Sequence, residues 1–357
     1  MVAKSQVSST EAEGVSQLPF YTQGIPGIGG ELRQSSSDFY VEEIPAYEPS
    51  GAGDHVLAWI EKTDVDTFSA VSTLAKALEV KPMEIGYAGM KDKWAVTRQY
   101  FSFPPPVTPE QLEGVKIEGI SVIRATRHPH KMKTGHLKGN RFRLVVKDLK
   151  PGQAHDENAN KVLERLSQPP GCPNWYGQQR FGRFGDNASI GKKILLGTFE
   201  GRLAPKKKRL FISAYQSALF NRFVCDRVAN KTLGTVEAGE ILMKGFGGPT
   251  FTSDEPTVDQ GRLDSGELVV TGPMFGHKVQ LASGAPGRRE TALLESEGIT
   301  TNSFGPFGKL ARGTRRAASI RIGAPKVTHL NATSIQVEFD LPKGAYATTV
   351  MREVMKK

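Results

Sequence analysis

The amino-acid sequence predicts a mixed α+β protein, because strand-like and helix-like segments alternate without a regular order. Between residues 335 and 341, apolar side chains alternate strictly with Gln, Glu and Asp, which is typical of a half-buried strand. From Phe211 to Val228, apolar residues recur on one helical stripe. The sequence contains no internal repeat, so we expect an irregular arrangement of both element types.

Short segments rich in aromatic and aliphatic residues predict the strands. In the second of them, Val56, Ala58 and Ile60 alternate with polar or larger neighbours. The third ends at Pro104–Pro106, and prolines cannot donate the hydrogen bonds of a sheet ladder. The predicted strands, in chain order, are Phe39–Val41, His55–Glu61, Gln99–Phe103, Ile120–Ala125, Arg141–Leu149 and Ile335–Leu341.

Helical spacing of apolar residues predicts the helices. We expect Asp66 or Thr67 to cap the first, in which apolar residues from Phe68 to Leu78 fall on one face. A basic cluster, Lys206–Arg209, directly precedes the third, and we interpret it as a solvated approach to that helix. The later helices are predicted over Asp156–Leu166, Phe211–Val228 and Ala347–Lys356.

The length of 357 residues predicts two domains, or one core with a large insertion. Residues 1–18 are polar and rich in Ser and Glu, so they predict a disordered tail and contain no secretion signal. Pro169-Pro170-Gly171 interrupts the chain, and we place a domain boundary there.

The composition is that of a soluble globular protein, with 38% hydrophobic and 24% charged residues. No apolar run approaches the ~20 residues that a membrane-spanning helix needs. Two cysteines, Cys172 and Cys225, are too few for a disulfide scaffold or a cysteine-rich zinc site. We therefore expect a cytoplasmic protein without a membrane segment.

Positive charge is concentrated in one part of the chain. Lys and Arg number 47 against 37 Asp and Glu, a net charge of +10, which favours a polyanionic partner. The stretch from Gly119 to Lys147 contains no acidic residue. Because it opens and closes on strand-like segments, we interpret it as a loop and two strands that present cations to a phosphate backbone. A solvated basic face is the alternative.

No motif for a nucleotide or cofactor is present. The glycine-rich segment Gly24–Gly30 follows no apolar strand and opens no helix, which excludes a Rossmann fingerprint. A phosphate-binding Gly-x-x-x-x-Gly-Lys-Ser/Thr loop does not occur in the sequence. We therefore expect no cofactor.

The densest chemistry-bearing motif runs from Gly86 to Gln99. Asp92 lies in it between Lys91 and Lys93, with Arg98 nearby, and neighbouring cations favour an ionised carboxylate. Such a carboxylate can act as nucleophile, general base or metal ligand. The motif contains no second acid, which disfavours a paired-carboxylate mechanism. The alternative is a surface aspartate in a lysine-rich turn.

Six motifs in the same order resemble those of the TruD family of RNA pseudouridine synthases. The segment Ala88–Gln99 is similar to the family's catalytic motif, and the resemblance spans roughly residues 24–355. The other five motifs are Asp38–Glu43, Arg127–Phe142, Pro173–Gly182, Ser213–Asn221 and Leu341–Thr348.

The resemblance implies roles for individual residues. It places the family's nucleophilic aspartate at Asp92 and its active-site aromatic at Phe39, and the Asn and Phe of the following strand at Asn140 and Phe142. Arg33 stands where the family often has lysine; both cations bind phosphate, but arginine cannot give up its proton. Read without the resemblance, the two phenylalanines fit core packing and the asparagine fits a turn.

The reaction implied is the conversion of uridine to pseudouridine at position 13 of the D-arm of tRNA, without cofactor or metal. A base in folded RNA must leave its stack to be reached, and Phe39, Phe142 and Tyr87 are candidates for the aromatic face that holds it. Asn140 would then recognise the Watson–Crick edge of uracil. The candidate phosphate contacts are Lys131, Lys133 and Arg180.

The resemblance also implies the architecture. A pseudouridine-synthase core, mainly an antiparallel sheet flanked by helices, would comprise residues 19–171 and 319–357. An inserted α/β TRUD domain would occupy residues 172–318, beginning at the Pro-Pro-Gly break. We expect a monomer with tRNA as its partner.

Two rival functions are weighed against this one. The first is a non-catalytic tRNA-binding or RNA-chaperone protein on the same scaffold. The second is a metal-dependent phosphodiesterase using Asp92 and scattered histidines. The second is disfavoured because His128, His130 and His136 lie in a cationic loop that would repel a divalent metal.

Overall fold

The computed structural model describes residues 18–357. The predicted disordered tail, residues 1–18, therefore lies outside the described residues except for Leu18, whose carbonyl accepts a hydrogen bond from Arg352. The strands are β1 (Glu31–Leu32), β2 (Phe39–Pro45), β3 (His55–Thr63), β4 (Gly86–Tyr87), β5 (Val96–Phe103), β6 (Ile120–His128), β7 (Leu137–Lys147), β8 (Cys172–Pro173), β9 (Ile241–Lys244), β10 (Thr250–Thr252), β11 (Leu268–Met274), β12 (Thr314–Ala317), β13 (Ser319–Ile320), β14 (Gly323–Asn331) and β15 (Ser334–Pro342).

The helices confirm the mixed character that the sequence predicts. They are α1 (Thr67–Ala77), α2 (Pro109–Glu113), α3 (His155–Ser167), α4 (Asn187–Leu195), α5 (Pro205–Ala229), α6 (Pro256–Asp264), α7 (Gly284–Ser296) and α8 (Ala347–Met355). Short 3-10 helices occur at Ser36–Asp38, Pro82–Glu84, Gln178–Phe181 and Thr301–Ala311.

The described residues form two compact units. The first comprises residues 25–164, 322–347 and 354–357. The second comprises residues 18–24, 165–321 and 348–353. The boundaries expected from the sequence, with a core of 19–171 and 319–357 around an insertion of 172–318, stay a prediction.

A nine-stranded sheet dominates the first unit, in the order β14-β15-β7-β2-β5-β3-β6, with β1 paired to β7 and β4 to β5. The pair β2–β5 is parallel and the other pairs are antiparallel, which confirms a mainly antiparallel sheet. Helix α1 packs its apolar face on β3 and β5, where Leu74 and Phe101 are both fully buried. Its N-cap is Asp66, whose carboxylate accepts from the amides of Phe68 and Ser69, as predicted.

Strand β7 begins four residues earlier than its sequence pattern suggests. Asn140 lies inside this strand, paired with Glu43 on one side and Leu341 on the other, so the turn interpretation of Asn140 is wrong. Gly139 explains the difference, because a Cβ there would lie 2.1 Å from the Leu341 carbonyl oxygen. Glycine therefore permits a close approach of two strands here rather than a turn.

The second unit contains a four-stranded sheet, β10-β9-β11-β12, and the short pair β13-β8. Its core surrounds α5, whose Ile212, Tyr215 and Leu219 are buried on the predicted stripe. The helix starts at Pro205, so the cluster Lys206–Arg209 lies within its first turns and does not precede it. Proline is favoured at the first helical position because the amide it lacks would have no partner there.

None of the helices in residues 18–357 combines the length and the apolar character needed to cross a membrane. Within the same residues, no group of three or more His, Cys, Asp and Glu side chains is arranged to hold a metal ion.

Candidate active site

Asp92 lies in the loop that joins β4 to β5, residues 88–95, which we call the Asp92 loop. Its side chain is 48% exposed. Nη2 of Arg33 donates a hydrogen bond of 2.8 Å to its Oδ2. A carboxylate that is accessible on one side and held by a guanidinium on the other is both oriented and open to a ligand.

The cations beside Asp92 differ from those that the sequence suggested. Lys91 turns inward and bonds to Glu43, and Arg98 bonds to Glu61. The contacting cation therefore comes from a residue 59 positions earlier and not from the immediate neighbours. Lys91 is buried whereas Asp92 is exposed, so adjacency in sequence did not become contact.

Arg33 links Asp92 to the aromatic part of the site. It directly follows β1 and adopts a positive φ of 62°, a left-handed conformation that costs a non-glycine residue about 1 kcal/mol or more. Its guanidinium carbon lies 3.7 Å from the centroid of the Phe39 ring. The arginine thus stacks on an aromatic face with one surface while its edge contacts the carboxylate.

Three phenylalanines form a row across neighbouring strands β2, β7 and β15. The rings of Phe39 and Phe142 meet edge to face at 6.4 Å, and the rings of Phe142 and Phe339 stack at 5.6 Å. All three are buried, so packing accounts for their positions. A role of Phe39 or Phe142 in holding a base stays a prediction.

Asn140 shares a face of β7 with Phe142, two residues along the strand. Its Oδ1 is buried and has no hydrogen-bond partner among the described residues. Leaving a buried acceptor unpaired costs free energy, so such an atom favours a ligand that can donate to it.

The residue next to Asp92 forms a buried ion pair. Nζ of Lys91 is 3.2 Å from Oε2 of Glu43, and the two side chains are 4% and 0% exposed. Burial raises the pKa of Glu43 and lowers the pKa of Lys91, while their mutual attraction opposes both changes. The pair anchors the residue that precedes Asp92.

Hydrogen bonds from the sheet and from α1 fix the rest of the loop. Thr67 Oγ1 accepts from the Lys91 amide at 2.9 Å and donates to Gln99 Oε1 at 3.2 Å. The Gln99 amide group donates to the Gly89 carbonyl at 2.9 Å. Close by, Lys62 donates to the Thr97 hydroxyl at 2.9 Å, and burial lowers its pKa to about 8. The backbone around Asp92 is thus held rigidly while its side chain faces outward.

Much of this network was missed at the level of sequence. The sequence predicts no role in the site for Glu43, Thr67, Gln99 or Lys62, although Thr67 is a candidate cap of α1 and two family motifs end at Glu43 and Gln99. A signal existed for Glu43, because a period of two places it on the same face of β2 as Phe39, and that face is buried. The partners of these side chains come from distant segments, which spacing does not reveal.

The basic loop, residues 129–136 between β6 and β7, lies against the Asp92 loop. The Gly135 amide donates to the Ala88 carbonyl at 2.7 Å. Lys131 donates to the Met83 carbonyl at 2.5 Å, and Lys133 is exposed. The structure therefore places the loop that carries these two predicted phosphate ligands against Ala88, at the start of the Asp92 loop.

The rest of the acid-free stretch, from Gly119 to Lys147, is less free to bind anions than its composition suggests. Four of its cations form ion pairs with acids from other segments: Arg124 with Glu48, Arg141 with Asp340, Arg143 with Glu338, and Lys147 with Asp38. In residues 18–357, Lys131 and Lys133 form no ion pair. Together with Arg127 and Lys138, which flank the basic loop, they carry the charge of the stretch that is available to an anion.

Arg180 lies in the second unit, in the 3-10 helix Gln178–Phe181. It donates to the Ser217 hydroxyl at 3.0 Å and to the Ser213 carbonyl at 3.3 Å, and lies over the Tyr176 ring. These contacts orient the side chain within its own unit, and phosphate binding by Arg180 stays a prediction.

Comparison with known proteins agrees with the resemblance seen in the motifs. The family model described as tRNA pseudouridine synthase D (TruD) matches residues 16–204 and 201–354. The chain is 44% identical over 352 residues to tRNA pseudouridine synthase D of an Anaeromyxobacter species, covering 96% of this chain and 97% of that one. It is 38% identical over 340 residues to the Thermus thermophilus protein of that name, covering 95% and 92%.

A solved structure gives the same result at the level of the fold. The crystal structure of a putative tRNA pseudouridine synthase D from Methanosarcina mazei superposes with a TM-score of 0.81 at 26% identity, covering 95% of this chain and 96% of the other. Family, relatives and fold agree over nearly the whole length. The chain therefore belongs to the tRNA pseudouridine synthase D family, whose members are isomerases that act on uridine in tRNA.

Proposed function

We propose that this enzyme converts uridine 13 in the D-arm of tRNA to pseudouridine and that Asp92 is its catalytic carboxylate. Family membership supports the reaction class. The observation that carries the assignment of Asp92 is its geometry. Its carboxylate is half exposed and bonded to Arg33, and the residue before it is held by a buried ion pair.

The reaction is an internal rearrangement. The N1–C1′ bond of uridine breaks, the uracil turns, and a C5–C1′ bond forms. The proton on C5 leaves and N1 gains one, so atoms and electrons balance without a redox partner. A single carboxylate can serve such a reaction, whereas hydrolytic chemistry on a sugar needs two.

Two roles of Asp92 fit this balance. In one, the carboxylate attacks the nucleoside, on the ribose or on the base, and is released when the new bond forms. In the other, it assists removal of the proton at C2′. The part of Arg33 is to orient the carboxylate and to offer a forked contact to a phosphate.

The uracil would be held by the face of the sheet that carries the phenylalanine row. Phe39 and Phe142 supply apolar surface for a flipped base, and Tyr87 on β4 is the third candidate. The unpaired Oδ1 of Asn140 suits the N3–H donor of uracil, since that contact would satisfy both groups. Lys131, Lys133 and Arg180 would contact phosphates of the RNA.

The rival functions predict other results. A non-catalytic RNA-binding protein on this scaffold would not require Asp92, and a metal-dependent phosphodiesterase would cleave RNA and lose activity with a chelator. A monomeric state and a cytoplasmic location remain predictions, for which size-exclusion chromatography and cell fractionation are the direct measurements.

The decisive experiment compares Asp92→Asn with the wild type on a tRNA that carries uridine 13. We expect pseudouridine formation to fall by roughly a thousandfold or more, because the reacting group is removed. RNA affinity should change little, since the substitution preserves size and the phosphate contacts remain. The exposed Asp254→Asn in the second unit is the matched control and should retain full activity.

Substantial isomerisation by Asp92→Asn would refute the catalytic assignment. A tRNA with cytidine in place of uridine 13 tests the position. If the wild-type enzyme forms as much pseudouridine in this tRNA as in the unchanged one, the proposed position is refuted but the reaction is not.

A further inference from the structure

Large apolar side chains around Asp92 are exposed to solvent. Trp94, two residues after Asp92, is 67% exposed, and Met90, two residues before it, is also mainly exposed. Phe68, at the second position of α1, is more than half exposed. Single exposed apolar residues are ordinary, but a group of them around a reactive carboxylate indicates a contact surface.

Several contacts place these side chains around the same loop. Two Cα steps of 3.8 Å put the backbone of Trp94 within ~7.6 Å of that of Asp92. Phe68 is joined to the loop through its neighbour Thr67, whose hydroxyl accepts from the Lys91 amide. The ring of Phe68 also packs edge to face on Tyr87 at 6.3 Å.

Cations lie beside these rings. Nζ of Lys93 lies 5.6 Å from the centroid of the Trp94 ring. The basic loop, with Lys131 and Lys133, packs against the other end of the Asp92 loop. Besides Asp92, the nearby acids have partners: Asp64 accepts from the Ser36 hydroxyl, Asp66 caps α1, and Glu84 accepts from the Lys81 amide. Exposed aromatic rings interleaved with cations fit single-stranded nucleic acid, which offers a flat base and an anionic phosphate.

We infer that Trp94 is a stacking platform for the nucleotide next to the target uridine in the RNA substrate, with Lys93 near its phosphate. The inference rests on the proposed function in one respect, namely that RNA carries the target. When the uridine leaves its stack, its neighbour loses a stacking partner. The Trp94 ring replaces that partner and so lowers the free energy of opening the RNA. Phe68 and Met90 extend the apolar surface.

Intrinsic fluorescence tests the contact directly. The chain has three tryptophans. Trp175 is buried and Trp59 packs on Tyr100 at 4.6 Å, which leaves Trp94 as the most accessible reporter. Titration of the Asp92→Asn protein with the tRNA should give a saturable quench of tryptophan emission. The double variant that carries both Asp92→Asn and Trp94→Phe should not show this quench in the same titration.

Affinity provides the second measurement. Trp94→Ala should weaken tRNA binding on the order of tenfold, while Trp94→Phe should lose less because a ring remains. An abasic nucleotide beside position 13 should weaken wild-type binding similarly and add little to Trp94→Ala, as expected for two halves of one contact. Leu330→Ala, which removes an exposed apolar side chain from β14, is the matched control and should bind like the wild type.

Two results would overturn the inference: an affinity of Trp94→Ala within twofold of the wild type, or equal quenching with and without Trp94. Pseudouridine formation by the wild type on the same tRNA is measured in parallel. Absence of that product refutes the proposed function. If the product forms but substitution of Trp94 changes neither tRNA affinity nor quenching, only the stacking platform is refuted.

Discussion

Two ion pairs on neighbouring residues of the Asp92 loop differ in their burial and in what they hold in place. Lys91 meets Glu43 at 3.2 Å, with the side chains 4% and 0% exposed. Arg33 meets Asp92 at 2.8 Å, with the side chains 29% and 48% exposed. The buried pair holds the backbone of the loop, and the exposed pair presents the carboxylate that we propose to be catalytic. Lys91, which we expect to matter for stability, and Asp92, which we propose for the chemistry, are therefore adjacent in the sequence.

The buried pair should dominate stability. Glu43→Gln leaves Lys91 in an apolar setting without its counter-charge, and breaking such a pair costs about 3–5 kcal/mol. Urea denaturation followed by circular dichroism measures the change in the free energy of unfolding. Lys91→Met added to Glu43→Gln should recover part of the loss, because no buried charge then remains.

Asp92→Asn is the comparison within the same loop and should change stability by less than about 1 kcal/mol, as for other exposed pairs. Equal losses in Glu43→Gln and Asp92→Asn would remove the distinction between the two pairs.

A pH series should reveal a smaller effect from Lys62, the second cation of the buried network. Burial and the nearby Lys91 lower its pKa from 10.5 to about 8, so between these values the unfolded chain binds more protons than the folded one. Stability from this group therefore rises with pH across that window and is reduced below it. Lys62→Met should lose this rise, seen as a stability difference from the wild type that changes between pH 8 and 10.

Lys76→Met, which removes an exposed lysine from α1, controls for the loss of one positive charge. A Lys62→Met variant whose pH profile runs parallel to that of the wild type would mean that Lys62 keeps its ordinary proton affinity in the fold.

The exposed pair should respond in activity and hardly at all in stability. Arg33→Lys keeps the charge but loses the forked contact and the stacking on Phe39, so we expect kcat/KM to fall about ten- to a hundredfold. The free energy of unfolding should change by less than about 1 kcal/mol. Full activity in Arg33→Lys would show that a point charge suffices to orient Asp92.

The sequence predicted those parts of the molecule that depend on local pattern. Strict alternation between residues 335 and 341 identified β15, and the polar residue before the apolar face identified the cap of α1. The motif resemblance named Asp92, Arg33, Phe39 and Phe142, and the structure brings those four together.

The parts that could not be predicted depend on strand order. The ion pairs of the stretch from Gly119 to Lys147 depend on which strands flank β7 in the sheet. The neighbours are β15, which carries Asp340, and β2, which directly follows Asp38, and both acids are distant in the sequence. The inward turn of Lys91 likewise depends on Glu43, which the parallel pairing of β2 with β5 brings beside the loop.

The phenylalanine row has a consequence for biosynthesis. Phe39, Phe142 and Phe339 come from strands that are far apart in sequence, and Arg141 meets Asp340 across 199 positions. A ribosome must therefore make β15 before Phe142 acquires its stacked neighbour. Because β7 pairs with β15, which is far away in the sequence, the residues of the Asp92 loop are made well before the phenylalanine row can be completed. The aromatic surface that we propose for the flipped base is therefore complete only after the last strand has been made.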